Sequence, residues 1–182
     1  MTVQPNRRLI LSSSGLLLVL GALGSPVLAA PPPDSLDVTN YHVVNTGLAT
    51  SGQPSADVLR GLAEQGFKTV INLRTDAEAG TAEEAEIIQS VGLRYVHVPV
   101  MPATLSLEDV ATVADILDDP AAGPVLLHCA SANRVGAIWT LIQAQEGRPA
   151  VEAIAEGREI GLRDGAVLDA VERLMKELEA AE

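Results

Sequence analysis

An apolar run ending at the only cysteine of the chain, followed by a loop of small residues and then an amphipathic helix, leaves few ways to fold. Residues 124–142 read PVLLHCASANRVGAIWTLI. Val125, Leu126 and Leu127 lead into Cys129, and Val135, Ile138, Trp139 and Ile142 recur at the i, i+3, i+4, i+7 spacing of a half-buried helix. The layout is strand, tight loop, helix N-terminus. Such a loop turns backbone N–H groups toward one point, and the helix dipole adds positive potential there, so the geometry suits an anion. The same field favours the thiolate form of a cysteine at the start of the loop, which is the form that acts as a nucleophile.

The flanking sequence supplies the rest of an α/β layer structure. A short first strand or hairpin is expected over 41–50, and Ser55 is placed to cap a helix that buries Val58, Leu59 and Leu62 and ends at Gly66. The β-branched stretch 68–73 reads as a strand with Arg74, Thr75 and Asp76 at its end. Thr81 and Glu84 have the spacing of a capping box for a helix carrying Ile87, Ile88 and Val91 that stops at Gly92. Another strand over 93–98 and a loop over 99–105 follow, and Ser106 opens a helix ended by Asp118-Asp119-Pro120. A helix beginning at Pro149 and another at Asp164 complete the pattern. Alternating strands and helices predict a single α/β domain with a central, mostly parallel sheet of about four to five strands. The Cys129 loop joins a central strand to a helix. Ligands of such sheets collect outside the carboxyl ends of the strands, so the 74–76 turn, the 99–105 loop and the Cys129 loop should share one edge.

Arg7 and Arg8, the uncharged apolar stretch 9–28 and the small residues up to Ala29 read as a secretory signal over 1–29. An uncleaved anchor is the competing reading, but Gly15, Gly21, Gly24 and Pro26 interrupt the stretch. Residues 30–40, with Pro31-Pro32-Pro33, read as a flexible lead-in, and 41–182 as the folded domain. The expected location is the periplasm or the medium. Cleavage removes two arginines and no acid, taking the net charge from −12 to −14. Such a chain should repel nucleic acid and anionic membranes, and its long-range field opposes anionic substrates as well. An anion site must therefore work through local donors. A lone cysteine has no intramolecular disulfide partner. His42, His97 and His128 show no metal-ligand spacing, and no cofactor is expected. His97 is assigned a packing role, Trp139 a supporting role behind the loop, and Arg74 the place of a second cation near the mouth. The last helix serves equally well as a cap on the core or as a dimer face.

Four stretches, SGQPS at 51–55, TVINLRTD at 69–76, GLRYVHVPV at 92–100 and VLLHCASANRVGA at 125–137, make the chain resemble the cysteine-dependent phosphatase superfamily. It is most similar to the small bacterial phosphatase-like domains found alone or fused to metallo-β-lactamase-like hydrolases. The resemblance implies that Cys129 is a nucleophile, that Arg134 clamps phosphate oxygens, and that His128, Ala130, Ser131, Ala132, Asn133 and Val135 complete the phosphate loop. It also implies a small phosphorylated substrate and a cysteinyl-phosphate intermediate. Three departures stand out. Four residues separate Cys129 from Arg134 where five are common, Ala132 stands where glycine is common, and Val135 replaces a hydroxyl residue. Superfamily relatives also hold an acidic residue on the loop where this chain has Met101-Pro102-Ala103-Thr104. Asp76 is the substitute general acid, with Glu108 or Asp109 behind it, although a turn residue paired with Arg74 is an equal role for Asp76. The short loop and the missing acid leave a rhodanese-like sulfurtransferase carrying a Cys129 persulfide as the alternative, and a non-catalytic anion-binding module as a third.

Overall fold

The computed structural model describes residues 30–180; the expected signal segment lies outside the described residues. The described strands are β1 (His42–Asn45), β2 (Leu48–Ser51), β3 (Thr69–Asn72), β4 (Arg94–His97) and β5 (Val125–His128). The helices are α1 (Ala56–Gly61), α2 (Thr81–Ser90), α3 (Leu107–Asp118), α4 (Asn133–Gln145), α5 (Ala150–Ile160) and α6 (Ala166–Glu179). The strands form one sheet in the order β1-β2-β5-β3-β4, with β1 antiparallel to β2 and every other pair parallel. The expected single α/β domain is therefore the observed one, and the stretch 41–50 is the hairpin alternative, β1 turning into β2.

Burial explains the order. Strands β2, β3 and β5 are buried at every position, as a parallel sheet covered on both faces requires, whereas β1 alternates between half-buried and exposed at the edge. One face carries Ala49, Val70 and Leu126 against Leu59, Leu62 and Ile88 of the α1–α2 side. The other carries Leu48, Ile71, Val125 and Leu127 against the larger cluster from α3, α4, α5 and α6. Cys129 belongs to this second cluster, while His128, one residue earlier, points to the α2 side. At the carboxyl ends of the strands the register aligns Ser51, His128, Asn72 and His97 in one polar rung.

Three local expectations change, the first being that α1 ends at Gly61 rather than at Gly66. Ser106 does cap α3 in a reciprocal box with Asp109, but Thr81 and Glu84 form no such box. Gly80, at φ 86°, occupies the N-cap of α2, Thr81 Oγ1 donates to the carbonyls of Thr75 and Glu78, and Glu84 turns inward. Likewise α6 starts at Ala166 after Gly165 rather than at Asp164. The lead-in also makes specific contacts. Leu36 packs on the α1–α2 cluster, Tyr41 Oη donates to the carbonyl of Pro33 at 2.7 Å, and the Thr39 carbonyl accepts from Gly52 N at 2.8 Å.

Candidate anion-binding thiol site

The Cys129 loop is braced by its neighbours. Gly52 and Ser131 form an isolated antiparallel bridge, Gln53 N donates to the carbonyl of Ala130 at 3.2 Å, and Asn40 Nδ2 donates to that of Ser131 at 3.0 Å. A Cβ on Gly52 would lie 3.1 Å from both the Ala130 and the Thr39 carbonyl oxygens, so this glycine fits where a larger residue would push the loop away. On the opposite side, Asn133 Oδ1 accepts from Arg163 N at 2.9 Å, which ties the loop to the α5–α6 turn. Asn133 is thus a cross-tie, and Val135 is fully buried core. Ala132 sits at φ 67°, the left-handed conformation that favours glycine, and the α4 helix begins immediately after it. Among the described residues the backbone N–H groups of Ala130, Ser131, Asn133, Arg134 and Val135 donate to no protein acceptor. Those of Asn133, Arg134 and Val135 are the orphan donors of the α4 start and those of Ala130 and Ser131 belong to the loop before it, which begins at a cysteine 1% exposed.

Arg134 completes the loop, and its orientation is set by a residue the sequence did not single out. Glu78, on the segment between β3 and α2, takes both ends of the guanidinium, Nη1 to Oε1 and Nη2 to Oε2, each at 2.7 Å. Nη1 also donates to the carbonyls of Leu73 at 3.2 Å and Val100 at 3.1 Å. The Nε–H and the remaining Nη2–H, which lie parallel on one edge, have no protein oxygen acceptor among the described residues. That edge is the one suited to bidentate capture of an oxyanion. The bond to Glu78 raises the Arg134 pKa above its ordinary value against the opposing effect of burial, and the neighbouring Cys129 sulfur acts in the same direction. In return the Arg134 bond lowers Glu78 to about 2, with bonds from Thr75 assisting. Glu78 is a permanent carboxylate at neutral pH.

His128 is held from the other side of the sheet. Its Nε2 donates to Glu84 Oε1 at 2.7 Å, and both side chains are buried. Glu84 Oε2 accepts from Gln53 Nε2 at 2.8 Å and lies 3.6 Å from Arg74 Nη1. Burial pushes the Glu84 carboxyl up, but the His128 bond, Gln53 and Arg74 outweigh it and the net displacement is downward. Arg74 in turn reaches Glu78, with Nε 3.6 Å from Oε2, and donates from Nη2 to the carbonyl of Ala79. Arg74 is therefore not a cation at the mouth. Its side chain is 7% exposed and is enclosed between two carboxylates, because both acids nearest it face inward.

The acid candidates are placed apart from this group. Asp76 has a side chain 90% exposed, with Oδ1 3.6 Å from His97 Nδ1, rather than a pairing with Arg74. His97 donates from Nε2 to the carbonyl of Arg74 at 2.5 Å and stacks on Tyr95, so it anchors the turn that carries Asp76. Asp109 is engaged in the α3 cap, and Glu108 stands exposed on the same turn. The 99–105 loop meets the site through the Val100 carbonyl, with Met101 exposed beside it. Trp139 is half-buried and donates from Nε1 to Glu156, and it lines a cavity with Asn45, Gly123 and Pro124 near the amino end of β5 rather than standing behind the loop. Among the described residues no group of three or more His, Cys, Asp or Glu side chains is arranged to hold a metal, and no helix is long and apolar enough to cross a membrane.

Comparison with known proteins agrees with this layout. The family model of the beta-lactamase hydrolase-like protein, phosphatase-like domain, matches residues 40–146. A beta-lactamase hydrolase-like protein of Xylella fastidiosa is 32% identical over 127 residues, covering 65% of this chain and only 29% of that relative's length. A candidate phosphatase (DUF442) from Shewanella putrefaciens CN-32 superposes with a TM-score of 0.64 at 23% identity, over 80% of this chain and 94% of that one. A cysteine-to-serine variant of P. aeruginosa TpbA, solved in complex with phosphotyrosine, gives 0.57 at 21% identity over 84% and 98%. The sheet order, the loop between β5 and α4, and the match spanning both make this chain a member of the family of phosphatase-like domains of beta-lactamase hydrolase-like proteins.

Proposed function

We propose that the chain is a phosphomonoesterase acting through Cys129. The observation that carries this reading is that the Nε–Nη2 edge of Arg134 has no protein oxygen acceptor among the described residues, on a loop whose amides are likewise unpaired and whose first residue, Cys129, interacts with that guanidinium. A tetrahedral dianion presents oxygens to both sets of donors at once. The Cys129 thiolate attacks phosphorus, the P–O bond to the leaving group breaks, and the leaving oxygen takes a proton from an acid. Water then attacks the cysteinyl phosphate, the S–P bond breaks, and inorganic phosphate leaves the regenerated thiolate. Asp76 is proposed as that acid, because its carboxylate is the exposed one on the β3–α2 segment, and Glu78, already committed to Arg134, has no proton to give. The phosphotyrosine bound by the TpbA variant supports a small phosphorylated substrate. The N-terminal Arg-Arg and apolar stretch support action outside the cytoplasm, which N-terminal sequencing of the exported protein would test.

The decisive measurement is turnover of p-nitrophenyl phosphate. Wild type should release nitrophenol, and Cys129→Ser should abolish release while still binding phosphate. Activity surviving in Cys129→Ser removes the nucleophile. Sulfur transfer from thiosulfate to cyanide without phosphatase turnover favours the persulfide alternative, to which the four-residue spacing and the absent loop acid belong. A pH–rate profile unchanged in Asp76→Asn removes Asp76 from the mechanism.

A further inference from the structure

His128 and Arg134, which flank the cysteine loop, are joined by a string of buried and half-buried groups: His128, Glu84, Arg74, Glu78, Arg134. Each member is the hydrogen-bonding or ionic partner of the next. Glu84 is its branch point, with one oxygen on His128 and the other shared by Gln53 and Arg74. It is also the most buried carboxylate in the group at 1% exposure, brought by α2 across 44 positions to the end of β5. A buried carboxylate with a single partner loses the contest with desolvation, whereas one with three keeps its charge and its geometry.

We propose that Glu84 is a positioning residue for the anion site. It orients His128 directly, and it holds Arg74 back from Glu78, so that both Glu78 oxygens remain on Arg134. Neutralising Glu84 frees Arg74 to compete for the nearer Glu78 oxygen, and the Arg134 clamp loosens although Glu84 never touches the anion. His128 Nδ1 is buried with no protein partner, so the Glu84 bond is the one side-chain contact fixing that ring among the described residues. The inference rests on the anion-site reading above but not on hydrolysis itself.

The test compares Glu84→Gln, Glu78→Gln and the double variant, reading the Kd for inorganic phosphate by calorimetry and kcat and KM for p-nitrophenyl phosphate. Each single variant should weaken phosphate binding about tenfold, the scale of one charge-assisted hydrogen bond. The double variant should lose clearly less than the product of the two single losses, because the part of the Glu84 effect that reaches Arg134 passes through Glu78. Val113→Ala, in the α3 core away from the string, provides a matched loss of Tm and should leave Kd unchanged. Wild-type Kd in folded Glu84→Gln, fully multiplicative losses in the double variant, or an equal loss of affinity in Val113→Ala would each overturn the proposal. Wild type that binds phosphate without hydrolysing it sinks the phosphatase reading, and Kd alone then decides on Glu84. Wild type that binds no phosphate sinks both.

Discussion

Glu78 shows how one side chain can set both the geometry and the pH range of a site. Its two oxygens hold the Nη1–Nη2 edge of Arg134 and leave the Nε–Nη2 edge without a protein oxygen acceptor among the described residues, and the same pair keeps its own carboxyl at about 2 instead of 4.5. A carboxylate with a lowered folded-state pKa contributes stability that is fully present above the unfolded value and lost as pH falls through the folded one. That stabilisation is present above about pH 5 and drains away toward pH 2, in the window set by the shift. Glu78→Gln should therefore destabilise the protein at pH 7 by about 1 kcal/mol, allowing for solvent screening at the open side of the pair, and flatten the acid limb of a stability-against-pH curve. Urea denaturation from pH 7 down to 2.5 would measure it, and an acid limb as steep as wild type would show that the pair adds no stability. Cys129 and Arg134 were legible in the sequence because covalent neighbours on one loop are necessarily neighbours in space. Glu78 lies 56 positions from Arg134, and its side chain carries no local pattern. Glu84 is ambiguous in sequence, since Thr-x-x-Glu at a helix start fits a capping box as well as it fits a buried carboxylate aimed at another element.

At the scale of elements, the loop is held in place by a close crossing of α4 and α5. Thr140 Oγ1 donates to the Gly136 carbonyl at 2.8 Å and to that of Ala153 at 3.3 Å, so the two helices approach with almost nothing between them. A Cβ added at Gly157 would fall 1.9 Å from Thr140 Oγ1 and 2.8 Å from the Gly136 carbonyl oxygen. In an unconstrained helix, glycine to alanine stabilises by up to about 1 kcal/mol. Here packing reverses the sign: Gly157→Ala should destabilise by about 2 kcal/mol and, by moving α5 and its following turn off Asn133, also weaken anion binding. Denaturation midpoints and phosphate affinity would check both, and a Gly157→Ala protein as stable as wild type would contradict this packing. Amphipathic spacing gave the number, order and inward faces of the helices, and the β-branched runs gave the strands. It could not reveal which helices touch without side chains between them, because a glycine in a helix looks the same in sequence whether it faces solvent or another backbone.

For the whole molecule, the central tension is between a chain of net charge −12 and the anion site proposed for it. The charge was legible from composition and the anion site from the strand–loop–helix pattern at Cys129, and the arrangement of the site suggests a local resolution. The string from His128 to Arg134 pairs its acids internally, and the proposed site would meet an anion with backbone donors and one guanidinium edge that has no protein oxygen acceptor among the described residues. Groups in van der Waals contact with a bound anion are barely screened, whereas the repulsion from distant surface acids acts over a Debye length of about 10 Å at 0.1 M salt. Raising ionic strength should therefore remove more repulsion than attraction. The expected outcome is that kcat/KM for dianionic p-nitrophenyl phosphate rises about two- to fivefold between roughly 10 and 150 mM sodium chloride, through KM with kcat unchanged. A substrate carrying one negative charge fewer should show a shallower rise, because the repulsion removed scales with its charge. If kcat/KM instead falls from the lowest salt onward, attraction by local positive potential dominates even at encounter distance, and the acidic surface has no part in limiting substrate capture.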